Sequence, residues 1–121
     1  MPTEQSPFAQ VLRSSCETAI SHLSNLDDTP VAATLSLDAL RSRLCRSLTQ
    51  HSLSPEQVIT ELVSDIEGGI LGCAGGRFYA WVIGGALPAA VAADWLTTAW
   101  DQNAALYACS PAAAVDRKSV V

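Results

Sequence analysis

Phe78 to Ala93 is a run of sixteen residues without a charge, and it constrains this chain more than any other feature. It falls short of the ~20 apolar residues that cross a bilayer, and Gly84-Gly85 and Pro88 break it from within. No membrane span is expected, so the run belongs in a soluble protein as a buried segment. Its surroundings, from Arg77 to Pro111, combine aromatics, paired glycines and a helix-starting proline. The string reads Arg77-Phe78-Tyr79-Ala80-Trp81-Val82-Ile83-Gly84-Gly85-Ala86-Leu87-Pro88, and later Asp94-Trp95-Leu96 and Trp100-Asp101-Gln102-Asn103. No simple surface element needs that mixture.

Charge is scarce elsewhere too. Charged residues make up 16% of the chain and hydrophobic ones 49%, where soluble domains carry roughly 25% charged residues. A surface so short of charge leaves apolar patches, which mark interfaces. The net charge is −5, and the seven Lys and Arg residues are scattered. Nucleic-acid binding needs clustered cations to neutralise phosphates, so that class is excluded. Cys16, Cys45, Cys73 and Cys109 show no CxxC spacing, which argues against a zinc site. The opening Met-Pro-Thr-Glu-Gln-Ser lacks the basic and apolar regions of a signal peptide. Free thiols in a cytoplasmic protein are the expectation.

The pattern is all-α: four main helices, with a glycine-rich irregular loop at about 68–86. Ser6-Pro7 suits a helix start, and Phe8, Val11, Leu12, Cys16, Ala19, Ile20, Leu23 and Leu26 then recur at three- and four-residue steps. Asp27-Asp28-Thr29-Pro30 stops that helix, because proline disfavours helical geometry in the residue before it. Val31 to Leu35 should be extended. Ser36 caps a second helix running from Leu37 to about Leu48. Ser54-Pro55-Glu56-Gln57 is a capping box with proline at the first position, opening a third helix that Gly68-Gly69 ends. A fourth runs from about Leu87 to Tyr107, and Ser110-Pro111 begins a short fifth.

Catalytic arrangements are weak. The glycine-rich loop lacks the G-x-G-x-x-G offsets and the Gly-Lys-Ser ending of phosphate-binding loops, so its glycines are expected to lie close against other backbone or a ligand. His22 and His51 have no Ser, Cys or Asp at a known spacing and read as solvated helix-face residues. Cys73 has only Arg77 near it to lower its pKa. Asp94 and Asp101 stand two helical turns apart, yet Trp95, Leu96 and Trp100 crowd them, and a structural hydrogen bond suits Asp94 better than acid–base work. Trp81, Trp95 and Trp100 read as core or interface anchors.

From about Glu17 to Val115 the sequence resembles the N-terminal segment of the pyridoxal-phosphate-dependent group II amino-acid decarboxylases. The likeness is most specific from Gly75 to Pro111, in Gly75-Gly76-Arg77-Phe78-Tyr79-Ala80-Trp81-Val82. Pro30-Val31 and Leu37-Asp38-Ala39-Leu40-Arg41 extend it upstream. The resemblance implies a helical segment, residues 1–115, that wraps over the partner subunit of a dimer. It places Trp81, Val82, Ile83 and Gly84 along the substrate side-chain pocket, and Asn103 to Ala105, with Asn103 and Ala105 as site residues, near the neighbouring active site. Trp81 stands where the aromatic-substrate enzymes have tyrosine and Gly84 where they have threonine, two departures at positions on which an aromatic-substrate assignment would rest. None of these positions breaks bonds.

The family's cofactor domain should follow, and with it the lysine that holds pyridoxal phosphate. The one lysine here is Lys118, three residues from the end. After Val115 the family pattern continues into an acidic helix, whereas residues 116–121 form a polar tail of another character, as a frameshift, a truncated gene or a recombination joint would produce. The expected function is that of a truncated decarboxylase relative, a carboxy-lyase fragment inactive alone and binding no cofactor. Its helices should pack as an intertwined homodimer. The alternative is a stand-alone helical interaction or ligand-binding module, with Trp81 at the mouth of a pocket in the glycine-rich loop.

Overall fold

The computed structural model describes residues 6–102 and 108–115. Among them are five α-helices and no strand: α1 Ala9–Ser24, α2 Leu37–Leu44, α3 Pro55–Ile66, α4 Pro88–Trp100 and α5 Pro111–Val115. The fold is all-α, as the periodicity predicts. The chain divides into two units, Met1–Gly85 and Ala86–Val121. The tail set apart above, residues 116–121, lies outside the described residues.

In the first unit α3 is the centre, with α1 and α2 both packed on it. Its start is fixed locally. Ser54 Oγ accepts from Gln57 N at 3.2 Å, and Gln57 Oε1 accepts from Ser54 N at 3.1 Å. The two bonds satisfy donors that a helix end otherwise leaves open. α2 starts on Ser36, whose hydroxyl accepts from Ala39 N, with Asp38 in its first turn and Arg41 and Arg43 in its last. That order of charges suits the helix dipole.

Three boundaries in the first unit differ from the sequence reading, each for a visible reason. α1 begins at Ala9, because Ser6 O takes Ala9 N and holds 6–8 as a turn before the helix. α2 ends at Leu44 instead of Leu48, where Arg46 is drawn across to α3 by Glu61 and Asp65. The 31–35 segment bends instead of extending, since Thr34 N and Leu35 N both donate to Gly68 O, at 2.8 and 3.2 Å.

Gly68 is the hinge of that arrangement. Its φ of +84° is the left-handed region that only glycine enters freely, and a Cβ there would meet Leu35 Cγ at 2.8 Å. The chain then runs from Glu67 to Leu87 without regular secondary structure. Gly72 N donates to Pro30 O at 2.9 Å, and a Cβ on Gly72 would stand 2.8 Å from Leu26 O. The absence of a side chain lets the two backbones touch.

In the second unit, α4 begins with Pro88 in its first turn and ends at Asp101, which is left-handed (φ 46°, ψ 49°). The helix therefore stops short of the expected Tyr107, because the chain leaves helical geometry at Asp101; residues 103–107 lie outside the described residues. Ser110 is buried, and its hydroxyl accepts from Ala113 N to open α5.

Among the described residues no hydrophobic side chain is buried. The apolar faces of α1 to α4 that the periodicity announces are only partly covered. Leu12, Ile20, Leu37, Val58, Leu62 and Leu96 are all exposed, and Trp95 is exposed at 37%. No helix among the described residues is long and apolar enough to cross a membrane.

Candidate functional site

The segment 78–84 holds four of the six residues that the resemblance assigns to a substrate pocket, and it is built on a fixed base. Gly75 N donates to Gly72 O at 3.1 Å, and Phe78 N to Gly75 O at 3.3 Å, folding the chain into successive turns. Two longer-range bonds tie that base to the α1–α2 connection. Gly76 N donates to the Asp27 carboxylate at 3.0 Å, and the Arg77 guanidinium donates to Thr29 O at 3.0 Å.

Beyond Arg77 the restraint ends. No backbone hydrogen bond among the described residues reaches 79–86. Trp81 is 79% exposed and Tyr79 92%, Val82 is fully exposed, and Ile83 is exposed as well. A Cβ added to Gly84 would meet nothing within 4 Å. Trp81 adopts φ 55°, a left-handed conformation that costs a side-chain-bearing residue about 1–2 kcal/mol. Its indole pairs with Phe78, ring centroids 5.8 Å apart and tilted by 44°, a geometry aromatic pairs favour. The result is an uncharged aromatic projection on a rigid stem.

The structure brings Trp81, Val82, Ile83 and Gly84 together as that projection. Asn103 and Ala105 lie outside the described residues. Asp27 was invisible as a site residue in the sequence, and Arg77 counted there only as a neighbour of Cys73. Neither carries a local motif, and their partners lie 49 and 48 residues away. The other candidates scatter. His22 is in the last turn of α1 and half-buried, and His51 is exposed in the α2–α3 connection. Cys16 and Cys73 are half-buried, Cys45 and Cys109 exposed, and all four are free thiols. Asp94 is exposed on α4, whereas Asp101 has left the helix as its cap, so the two do not share a helical face. Among the described residues no group of three or more His, Cys, Asp or Glu could hold a metal ion.

A shallow concavity of about 220 Å³ lies between the end of α2 and α3, lined by Leu44, Arg46, Leu53, Glu61, Leu62 and Asp65 among others. Arg46 lies across its wall in ion pairs with Glu61 and Asp65.

Pyridoxal phosphate does not fit the described residues. They include no lysine, Lys118 being outside them. Three N–H groups of the glycine-rich segment are also committed: Gly72 to Pro30 O, Gly75 to Gly72 O and Gly76 to Asp27. A phosphate at Gly76 would meet a carboxylate already in its place, the reverse of an anion cradle.

No protein-family model, no curated protein and no solved structure matches this chain.

Proposed function

We propose that this chain is the helical N-terminal segment of a pyridoxal-phosphate-dependent group II amino-acid decarboxylase. It acts in the cytoplasm as part of a homodimer and contributes to a substrate pocket through Trp81, Val82, Ile83 and Gly84, while Asn103 and Ala105 belong near the neighbouring subunit's active site. By itself it catalyses nothing and holds no cofactor. The observation that carries the reading is the open projection 78–84, an uncharged aromatic surface on a fixed stem. A side-chain pocket needs such apolar lining, with its rigidity supplied from behind. The open apolar faces of α1, α3 and α4 support the second part, because helices with unburied stripes complete themselves against other protein.

Complementation tests this. The chain is mixed with a group II decarboxylase from which the matching N-terminal segment has been deleted, and decarboxylation is measured. Restored turnover, lost again with Trp81→Ala, is the expected result. A pyridoxal phosphate titration of the chain alone should give no saturable band of lysine-bound cofactor. Such a band, abolished by Lys118→Ala, would overturn the proposal. Failure to complement, together with a monodisperse chain that binds small apolar ligands at Trp81, would establish a stand-alone binding module instead.

A further inference from the structure

We propose that Asp27 and Arg77 are positioning residues: together they form a lock that fixes the base of the 78–84 projection and thereby holds Trp81 in its left-handed conformation. The inference rests on the pocket-wall reading for its purpose, but the lock itself stands on geometry alone.

Three bonds join the segment 72–77 to the segment 27–30: Gly72 N to Pro30 O, Gly76 N to Asp27 Oδ1, and Arg77 Nη2 to Thr29 O. Two of them carry a charged partner, which makes them roughly twice as strong as neutral ones. Their chemistry alternates across the seam. From 27–30 come a side-chain and a backbone acceptor, and from 76–77 a backbone and a side-chain donor. Adjacent residues on one segment are therefore held from both the backbone and the side chain, which fixes the direction in which the chain leaves Arg77. The next bonded stretch begins only at Leu87. The stretch 79–86 has no backbone hydrogen bond of its own among the described residues, so the lock is the restraint nearest to it on the N-terminal side.

Trp81 supplies the independent sign of that restraint. A tryptophan relieved of restraint leaves φ 55° for the negative region, because its Cβ crowds the following carbonyl. It remains there with its ring against Phe78, the first residue beyond the lock. Releasing the lock allows Phe78 to swing, the pair to part and Trp81 to relax. Asp27 and Arg77 thus decide where the aromatic wall stands without touching anything the wall would bind.

The test uses the full chain and limited trypsin digestion. Cleavage after Arg77 requires the 76–78 backbone to open, while cleavage after Arg13 and Arg41, on α1 and α2, reports general loosening. Asp27→Ala should raise the Arg77 rate about tenfold, the loss expected from one charge-assisted bond, with Arg13 and Arg41 unchanged. Asp27→Asn, which keeps an acceptor for Gly76 N, should restore most of the protection. With Trp95→Phe and Trp100→Phe as background, Asp27→Ala should also change Trp81 emission and its quenching. An unchanged Arg77 rate, or an equal rise at all three sites, overturns the lock. A measurement on the unaltered chain guards against a variant that fails to fold. The Gly76 amide should exchange about tenfold more slowly than those of Gly84 and Gly85 after correction for intrinsic rates, and equal rates overturn the proposal. No substrate enters these measurements, so a lock that holds beside failed complementation overturns the pocket reading alone.

Discussion

Arg46 Nη1 stands 3.2 Å from Glu61 Oε2, and the same guanidinium reaches Asp65 with its other terminal nitrogen while its Nε donates to Arg43 O at 2.6 Å. One side chain therefore closes the end of α2, turns the following chain and fastens it to α3. Arg46 and Glu61 are about half exposed, whereas the Asp65 side chain is only 17% exposed. The Asp65 pair is thus less screened by salt than an ordinary surface pair.

Arg46→Ala should lower stability by about 1 kcal/mol in urea unfolding at low salt, near the upper end for a partly exposed network. Arg46→Lys should recover less than half of that loss, because an ammonium cannot address three acceptors with a planar fork. A double-mutant cycle with Asp65→Ala would isolate the pair, and a coupling of zero would show that the network holds nothing.

Gly72→Ala should destabilise the first unit by about 1–3 kcal/mol, the usual result of forcing a methyl group into a closed contact. Its Cβ would meet Leu26 O, and a backbone atom cannot rotate aside. Gly84→Ala is the control, since open space surrounds it. Circular dichroism melts should separate the two, and an equal effect would mean that the Gly72–Leu26 contact does not form in solution.

Ser54→Ala should remove about 1 kcal/mol of helix stability, read as lost helicity and faster amide exchange in the first turn of α3. Gln57→Ala removes only the returning half of the box and should cost less.

Sedimentation should show the chain associating into dimers at micromolar concentration, as the homodimer proposal requires. Leu12→Asp and Ile20→Asp, on the exposed face of α1, should shift that equilibrium toward monomer without lowering helicity. A monomer at all concentrations would remove dimerisation from the proposed function.

The helices were legible in the sequence where their causes are local. The Ser54 capping box, the Ser36 cap and the Gly68 stop lie within a few residues of what they control, and each occurs as read. The start of α1 is set by a local turn at Ser6, but the end of α2 and the bend at 31–35 answer to distant partners. Nothing in the residues after Leu44 announces that Arg46 will meet Glu61 and Asp65, and nothing in Val31 to Leu35 announces that two of its N–H groups will converge on Gly68. The site divides in the same way. The aromatic string at 78–83 stands out in the sequence, whereas the stem that holds it joins Asp27 to Gly76 and Thr29 to Arg77 across almost half the chain.

The open helix faces have a calorimetric consequence. The heat capacity released on unfolding comes from apolar surface newly exposed to water, about 12–15 cal/mol/K per residue in well-packed proteins. A chain in which none of the described hydrophobic side chains is fully buried has less such surface to expose. Its heat-absorption peak should be low and broad, without the sharp cooperativity of a packed core. Whatever molecule narrows and raises that peak when added, be it more of the same chain or another protein, is the one that these helices were shaped to meet.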